Sequence, residues 1–230
     1  MEGQEKLRAS TILIIGAGGL GCPAALYLAA AGVGRLALAD SDKVDLTNLQ
    51  RQILYRTDSV GAQKVVAASD ALRAINPDVE LVPIGARVKA QELDQLVAQC
   101  DVVLDCTDNF ATRHAINRAC VAHRKALVSG AAIRFDAQVM VFDLRQPDAP
   151  CYACLFPEDA EVEEVQCSQM GVFAPLTGMV GSIQAMEAIK LIVGVGESLN
   201  GRLLLVDASA ADWRTVKVSK DPGCRVCGSR

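Results

Sequence analysis

Three observations predict an α/β fold built on a Rossmann-like, doubly wound, mostly parallel sheet. A glycine-rich turn follows an apolar strand, strand-like and helix-like stretches alternate regularly as far as Gly130, and an acidic residue closes the second strand. Residues 11–15 read as a strand, 19–31 as a helix and 35–40 as the second strand, so the fold starts at once. Residues 42–58 are polar and irregular. Residues 62–75 have helical composition and stop ahead of Pro77, as expected because the residue before a proline disfavours the helical region. Strand character resumes over 79–88, helix over 92–99, a short apolar strand over 101–105, helix over 111–123 and strand over 126–129.

After Gly130 the pattern changes. Residues 138–143 alternate like a half-buried strand, and 202–207 with 213–218 read as a hairpin-like pair, so antiparallel strands should continue the parallel sheet. Between them, 175–193 form a helix rich in glycine and alanine, whose small residues permit close packing. Gln184, Glu187 and Lys190 on that helix argue against a membrane interior. Residues 9–34 carry no charge and could pass for a membrane span, but Gly16, Gly18, Gly19 and Gly21 fall where a buried strand must turn into a helix. No repeat, low-complexity tract or linker divides the chain. It is expected to be one domain over residues 1–230, with a nucleotide-binding part to about residue 130 and a second part from about 131.

The 230 residues, 51% hydrophobic and 22% charged, suffice for one substantial core. A formal net charge of −4 and the lack of any Lys or Arg run give no footprint for nucleic acid. The leader from Met1 to Arg8 mixes charge signs, unlike a secretory signal, so a reducing cytoplasm is the expected location.

Cys151 and Cys154 form one Cys-x-x-Cys pair, and Cys224 and Cys227 a second. Two thiolates at this spacing can reach one tetrahedral ion, and two such pairs make a closed four-sulfur site with no position open for catalysis. A structural zinc is therefore expected; the bland alternative is two chance pairs of buried or disulfide-bonded cysteines.

Gly16-Ala17-Gly18-Gly19-Leu20-Gly21 matches G-x-G-x-x-G directly after a strand, and backbone amides at the following helix start would face phosphate oxygens. Asp40 sits where a carboxylate normally accepts bonds from ribose hydroxyls, so an adenine nucleotide is indicated, without separating NAD from ATP. Asn48-Leu49-Gln50-Arg51-Gln52 adds a guanidinium and Lys64 an ammonium, which suits a triphosphate. Asp105-Cys106-Thr107-Asp108-Asn109 supplies carboxylates at the C-terminal end of a strand, where magnesium could bridge phosphate oxygens. Taken singly, a solvated cation or an aspartate capping the next helix would explain each equally well.

Together and in this order, these residues resemble the MoeB/ThiF adenylyltransferases of molybdopterin and thiamine biosynthesis, relatives of the adenylation half of ubiquitin-activating enzymes. The likeness spans residues 3–228 and includes Val128-Ser129-Gly130-Ala131-Ala132, Ala174-Pro175-Leu176 and Gly181-Ser182-Ile183-Gln184-Ala185. It is strongest to the molybdopterin branch, through the cysteine pairs and the helix containing Gln184-Ala185-Met186-Glu187-Ala188. The resemblance implies ATP-dependent activation of the C-terminal Gly-Gly carboxylate of a ubiquitin-like sulfur-carrier protein as an acyl-adenylate. It makes Arg51, Lys64 and an Asp108-held magnesium the catalytic charges, and gives Gly19, Asp40, Asn48, Leu49, Gln50 and Asn109 to ATP binding alongside them. The second part of the chain, from about residue 131, would bind the carrier and the zinc. A homodimer and a separate sulfur donor are expected, the latter because no rhodanese-like domain follows Arg230.

Some relatives place a thiol after the zinc knuckle that can capture the activated carbonyl, and Cys167 fits that location, although Glu163 and Glu164 would disfavour its thiolate. Cys22, Cys100, Cys106 and Cys120 read as small buried hydrophobes. His114 and His123 are not spaced as metal ligands, and Trp213 reads as a packed residue of a late strand. Similar proteins begin with a further helix whose arginine reaches the partner subunit's ATP site; this chain is expected to lack it, binding ATP through Gly19, Asp40 and Lys64 yet adenylating poorly. The competing readings are the same chemistry on a thiamine or tRNA-thiolation carrier and, more distantly, an NAD-dependent oxidoreductase, which leaves Arg51, Lys64 and the cysteine pairs unexplained, or a carrier-binding adapter without turnover.

Overall fold

The structure, a computed structural model, describes residues 2–159 and 171–228; Cys167 lies outside them. Eight strands form one sheet in the order β3-β2-β1-β4-β5-β6-β7-β8. They are β1 (Thr11–Ile15), β2 (Arg35–Ala39), β3 (Glu80–Ile84), β4 (Val102–Asp105), β5 (Ala126–Ile133), β6 (Asp136–Asp143), β7 (Arg202–Asp207) and β8 (Asp212–Lys217). The first five are parallel, and β6, β7 and β8 continue the sheet antiparallel.

The described helices are α1 (Glu2–Arg8), α2 (Gly21–Ala30), α3 (Lys64–Ile75), α4 (Ala90–Ala98), α5 (Phe110–His123), α6 (Tyr152–Leu155) and α7 (Ala174–Val193). Strand alternation sorts the core into two layers. Ile12, Ile14, Leu36, Leu38, Leu104 and Val128 pack with α2, α3 and α7, whereas Leu13, Ile15, Val103, Leu127 and Phe142 point the other way into α4 and α5. Chain order reverses between β1 and β4, the switch point at which an open α/β sheet leaves a crevice beyond its strand ends.

Several boundaries differ from those expected. β3 stops at Ile84, because its partner β2 stops at Ala39 in register with it; residues 85–88 then leave the sheet. β5 runs past Ser129 to Ile133 through Gly130, where an added Cβ would lie 2.6 Å from the Gln184 side chain. A glycine there is space for α7. Trp213 is exposed and not packed, because β8 forms the outer edge of the sheet and each of its residues is exposed.

α7 is long and apolar enough to cross a membrane by length and composition. Its polar residues are instead satisfied inside the protein. Gln184 donates to Asp105 O at 2.8 Å and Val128 O at 3.2 Å, and Glu187 accepts Leu199 N–H at 2.8 Å while pairing with Lys190.

Candidate active site

A cavity of about 960 Å³ opens at the switch point, lined by the turn after β1, the loop after β2, the start of α3 and the loop after β4. Its glycine turn is made by close backbone approaches. Gly16 has φ +96°, a conformation glycine adopts without a Cβ clash, and a Cβ on Gly21 would lie 1.9 Å from Gly16 O. Gly19 abuts Thr177 of α7, so that helix backs the turn.

Asp40 ties this turn to the next loop. Its Oδ2 accepts Ala17 N–H at 2.8 Å and its Oδ1 accepts Asp42 N–H at 2.8 Å. Each oxygen keeps a lone pair that a ribose hydroxyl could approach. Lys64 is buried at the cavity wall with its ammonium 2.8 Å from Asp42 Oδ2 and 3.7 Å from Asp40 Oδ2. Tyr55 O–H donates to Ala17 O at 2.7 Å, supporting the turn from behind.

The loop after β2 contains two 3-10 turns, Leu46–Asn48 and Thr57–Ser59, and Asp45 caps the first through Thr47 N–H at 2.8 Å. Backbone bonds from Arg51 N–H and Gln52 N–H to Asn48 O continue the coil, so Asn48, Arg51 and Gln52 share one side. All three line the cavity, and Asn48 Oδ1 accepts from Arg51 Nη2 at 2.8 Å. Leu49 and Gln50 do not line it; Leu49 packs against the α2–α3 core layer. Helical spacing accounts for this: positions i, i+3 and i+4 face together and the two between them turn away.

After β4, the two carboxylates expected of this loop have different duties. Asp105 is buried, with Oδ1 accepting Thr107 O–H at 2.7 Å and Oδ2 accepting Ser129 O–H at 2.9 Å, so it shapes the loop and leaves the cavity to Asp108. Asn109 lines the cavity and also caps α5, its Oδ1 accepting Thr112 N–H at 2.9 Å. Arg113, on the same helix, reaches back to Thr107 O at 2.6 Å and Gly130 O at 3.3 Å, bracing the loop after β4 against β5. Asp42, Thr177 and Arg113 are not singled out in the sequence, and Gln52 stands there within the Asn48–Gln52 motif without a role. Only Gln52 had a usable signal there, its i+4 spacing from Asn48.

The cavity continues toward β6, β7 and β8, where Asp136, Gln138, Asp207 and Arg214 line it. This arm leads away from the glycine turn along the antiparallel strands.

Outside the cavity, beside Val121 of α5, Cys151, Cys154, Cys224 and Cys227 gather with all four sulfurs within 4.8 Å of one another. Sulfur separations of 3.4, 3.7 and 3.9 Å bracket the roughly 3.8 Å edge of a tetrahedron with metal–sulfur bonds of about 2.3 Å, and are far too long for disulfides. The group could therefore hold a metal ion. Backbone N–H groups of Cys151 and Asp221 point at Cys154 Sγ, at 3.4 and 3.5 Å, as donors that stabilise a thiolate. Contact with the Cys151 thiol, then these donors, bring the Cys154 pKa down to about 5, while the same contact and burial raise that of Cys151. Burial pushes Cys22 and Cys100 up to about 12 and holds Cys106 and Cys120 well above the ordinary thiol value, so these four behave as the small hydrophobes expected. His114 packs on Phe110 and Tyr152, and His123 pairs with Asp94 at 2.9 Å; both serve packing or surface contacts.

With this geometry in hand, three comparisons bear on the chain. The profile of the ThiF family matches residues 1–226. The molybdopterin-synthase adenylyltransferase of Escherichia coli (strain K12) is 49% identical over 230 residues, which cover 99% of this chain and 90% of that protein. The sulfur carrier protein ThiS adenylyltransferase of the same organism is 47% identical over 229 residues, with 99% and 90% covered. Among solved structures, E. coli MccB with ATP has a TM-score of 0.86 at 23% identity, covering 99% of this chain and 69% of that one, a likeness of fold alone. By the extent of the profile match and the identity to its members, the chain belongs to the ThiF family.

Proposed function

We propose that this chain is an ATP-dependent adenylyltransferase that activates the C-terminal Gly-Gly carboxylate of a ubiquitin-like sulfur-carrier protein, in molybdopterin biosynthesis. The observation that carries the reading is the convergence of Arg51, Lys64 and Asp108 with the glycine turn in one cavity at the switch point. Two relatives near half identity are named as adenylyltransferases, one of molybdopterin synthase and one of the sulfur carrier ThiS. A thiamine carrier is accordingly the second reading for the substrate.

The carrier carboxylate is ionised at neutral pH and needs no general base. It attacks the α-phosphorus of ATP; a carboxyl oxygen–phosphorus bond forms, the bond to the bridging oxygen breaks, and pyrophosphate leaves with that electron pair. The obstacle is charge, since an anion approaches a polyanion. Arg51 and Lys64 offset that charge, Asp40 and Asn48 orient ribose and phosphate, and Gly19 lets the phosphates approach backbone N–H groups. A magnesium ion held through Asp108 would supply further neutralisation at the phosphate oxygens. The arm lined by Gln138 and Arg214 gives an extended Gly-Gly tail a route to the reacting atoms.

Zinc suits the four thiolates, as a closed structural site. The roles assigned to these residues, a homodimer, a separate sulfur donor and a cytoplasmic location belong to the same proposal. The test is pyrophosphate release on mixing the chain with ATP, magnesium and a purified carrier ending in Gly-Gly. Carrier-dependent release is expected, with molybdopterin-type carrier favoured over thiamine-type; no release with any carrier overturns the reading.

A further inference from the structure

We infer that Asp42 is a built-in competitor for the phosphate-binding ammonium and sets the affinity for ATP. The inference rests on the proposed use of the cavity for ATP.

Lys64 opens α3 and is buried, with its ammonium directed to the cavity wall. Its nearest charge is Asp42 Oδ2 at 2.8 Å, with Asp40 Oδ2 at 3.7 Å. The two carboxylates are differently held. Asp40 is 10% exposed and fixed by two backbone N–H bonds, whereas the Asp42 side chain is 68% exposed and, among the described residues, bonds through its carboxylate to Lys64 alone. Asp42 is nevertheless kept in reach by its own backbone, which donates to Asp40 Oδ1 at 2.8 Å and accepts Lys64 N–H at 3.0 Å. The backbone thus presents a carboxylate to Lys64 while leaving that carboxylate free to swing into solvent.

A phosphate oxygen and the Asp42 carboxylate compete for the same ammonium. A cation already paired gives a ligand only the difference between two ion pairs, and a state in which the competitor must move lowers apparent affinity by the fraction of time the cation is available. Asp42 also contributes repulsion toward the polyphosphate itself. Removing its charge should tighten polyphosphate binding, the reverse of what loss of a positioning residue or of a magnesium ligand does.

The experiment measures nucleotide binding by titration calorimetry on the whole chain, for the unmodified protein, Asp42→Asn, Lys64→Met and the double variant. Asp42→Asn is expected to tighten ATP binding by about threefold or more, in line with a partly exposed ion pair. Adenosine, which has no phosphate, should bind both proteins alike, and Asp42→Asn on the Lys64→Met background should bring a smaller gain, confined to the lost repulsion. Unchanged or weakened ATP binding in Asp42→Asn overturns the inference and leaves the adenylation reading standing. Absence of ATP binding by the unmodified chain overturns both.

Discussion

Gln184, near the middle of α7, donates its side-chain amide to Asp105 O at the end of β4, at 2.8 Å, and so fastens the longest described helix to the strand end that shapes the site. The same amide nitrogen reaches Val128 O at 3.2 Å, and the side chain is fully buried. Gln184→Leu keeps the volume but leaves two buried carbonyls without this donor, at a cost of about 1–3 kcal/mol. Urea melts should show a lower midpoint with an unchanged slope. Gly130→Ala should destabilise through the same spot, because its Cβ would lie 2.6 Å from the Gln184 carboxamide.

The pairing of Gln184 with Gly130 also shows where the sequence was legible. The parallel half could be read because its buried strands are short apolar runs bounded by glycine, and the switch-point cavity follows from strand order. Gly130-Ala131-Ala132 carries no strand signature of its own, so the sequence places the end of β5 at Ser129; what makes these residues strand is antiparallel pairing with β6, beneath a helix distant in sequence. Trp213 misled for a similar reason, since local pattern does not distinguish an edge strand from a central one. In the site, residue type identified Arg51, Lys64 and Asp108, but only the coil after Asn48 separated Gln52 from Leu49 and Gln50.

The cysteine cluster has a partner on α5. Asn117 is fully buried, donating Nδ2–H to Cys151 Sγ at 3.6 Å and accepting Tyr152 N–H through Oδ1 at 2.9 Å. Groups that orient metal ligands commonly affect affinity by about 10- to 100-fold. Cys151→Ser should lower zinc per chain and the melting temperature together, whereas Asn117→Ala should retain zinc as purified but lose it to a milder chelator. Zinc stoichiometry unchanged in Cys151→Ser would remove the assignment.

His114 supplies a pH dependence. Burial against Phe110 and Tyr152 lowers its pKa from the ordinary 6.5, with Glu158 at 3.8 Å opposing the shift only in part. The unfolded chain therefore binds this proton more readily than the folded one. The stability contributed by the neutral ring is present above about pH 6.5 and is lost as pH falls through the lowered folded value. Melting temperatures taken from pH 7.5 to 5 should fall less steeply for His114→Gln than for the unmodified chain. Parallel curves would show that other groups carry the acid sensitivity.

Arg51 and Asn48 separate charge from positioning in the proposed reaction. Arg51→Ala and Lys64→Ala each remove a cation from the cavity, and loss of a transition-state charge partner commonly costs about 10²-fold or more in rate. Arg51→Ala creates no cavity in an apolar core layer and should shift the melting temperature little, whereas Lys64→Ala also removes a buried countercharge beside Asp40 and should lower it. Asn48→Ala leaves the guanidinium present but frees it from the 2.8 Å bond that aims it. Its expected rate loss is smaller than that of Arg51→Ala, and it should shrink when Arg51 is already alanine, to the part that Asn48 contributes on the nucleotide directly. Carrier-dependent pyrophosphate release by the four proteins measures this coupling. Additive losses would mean that Asn48 acts on the nucleotide directly and not through Arg51.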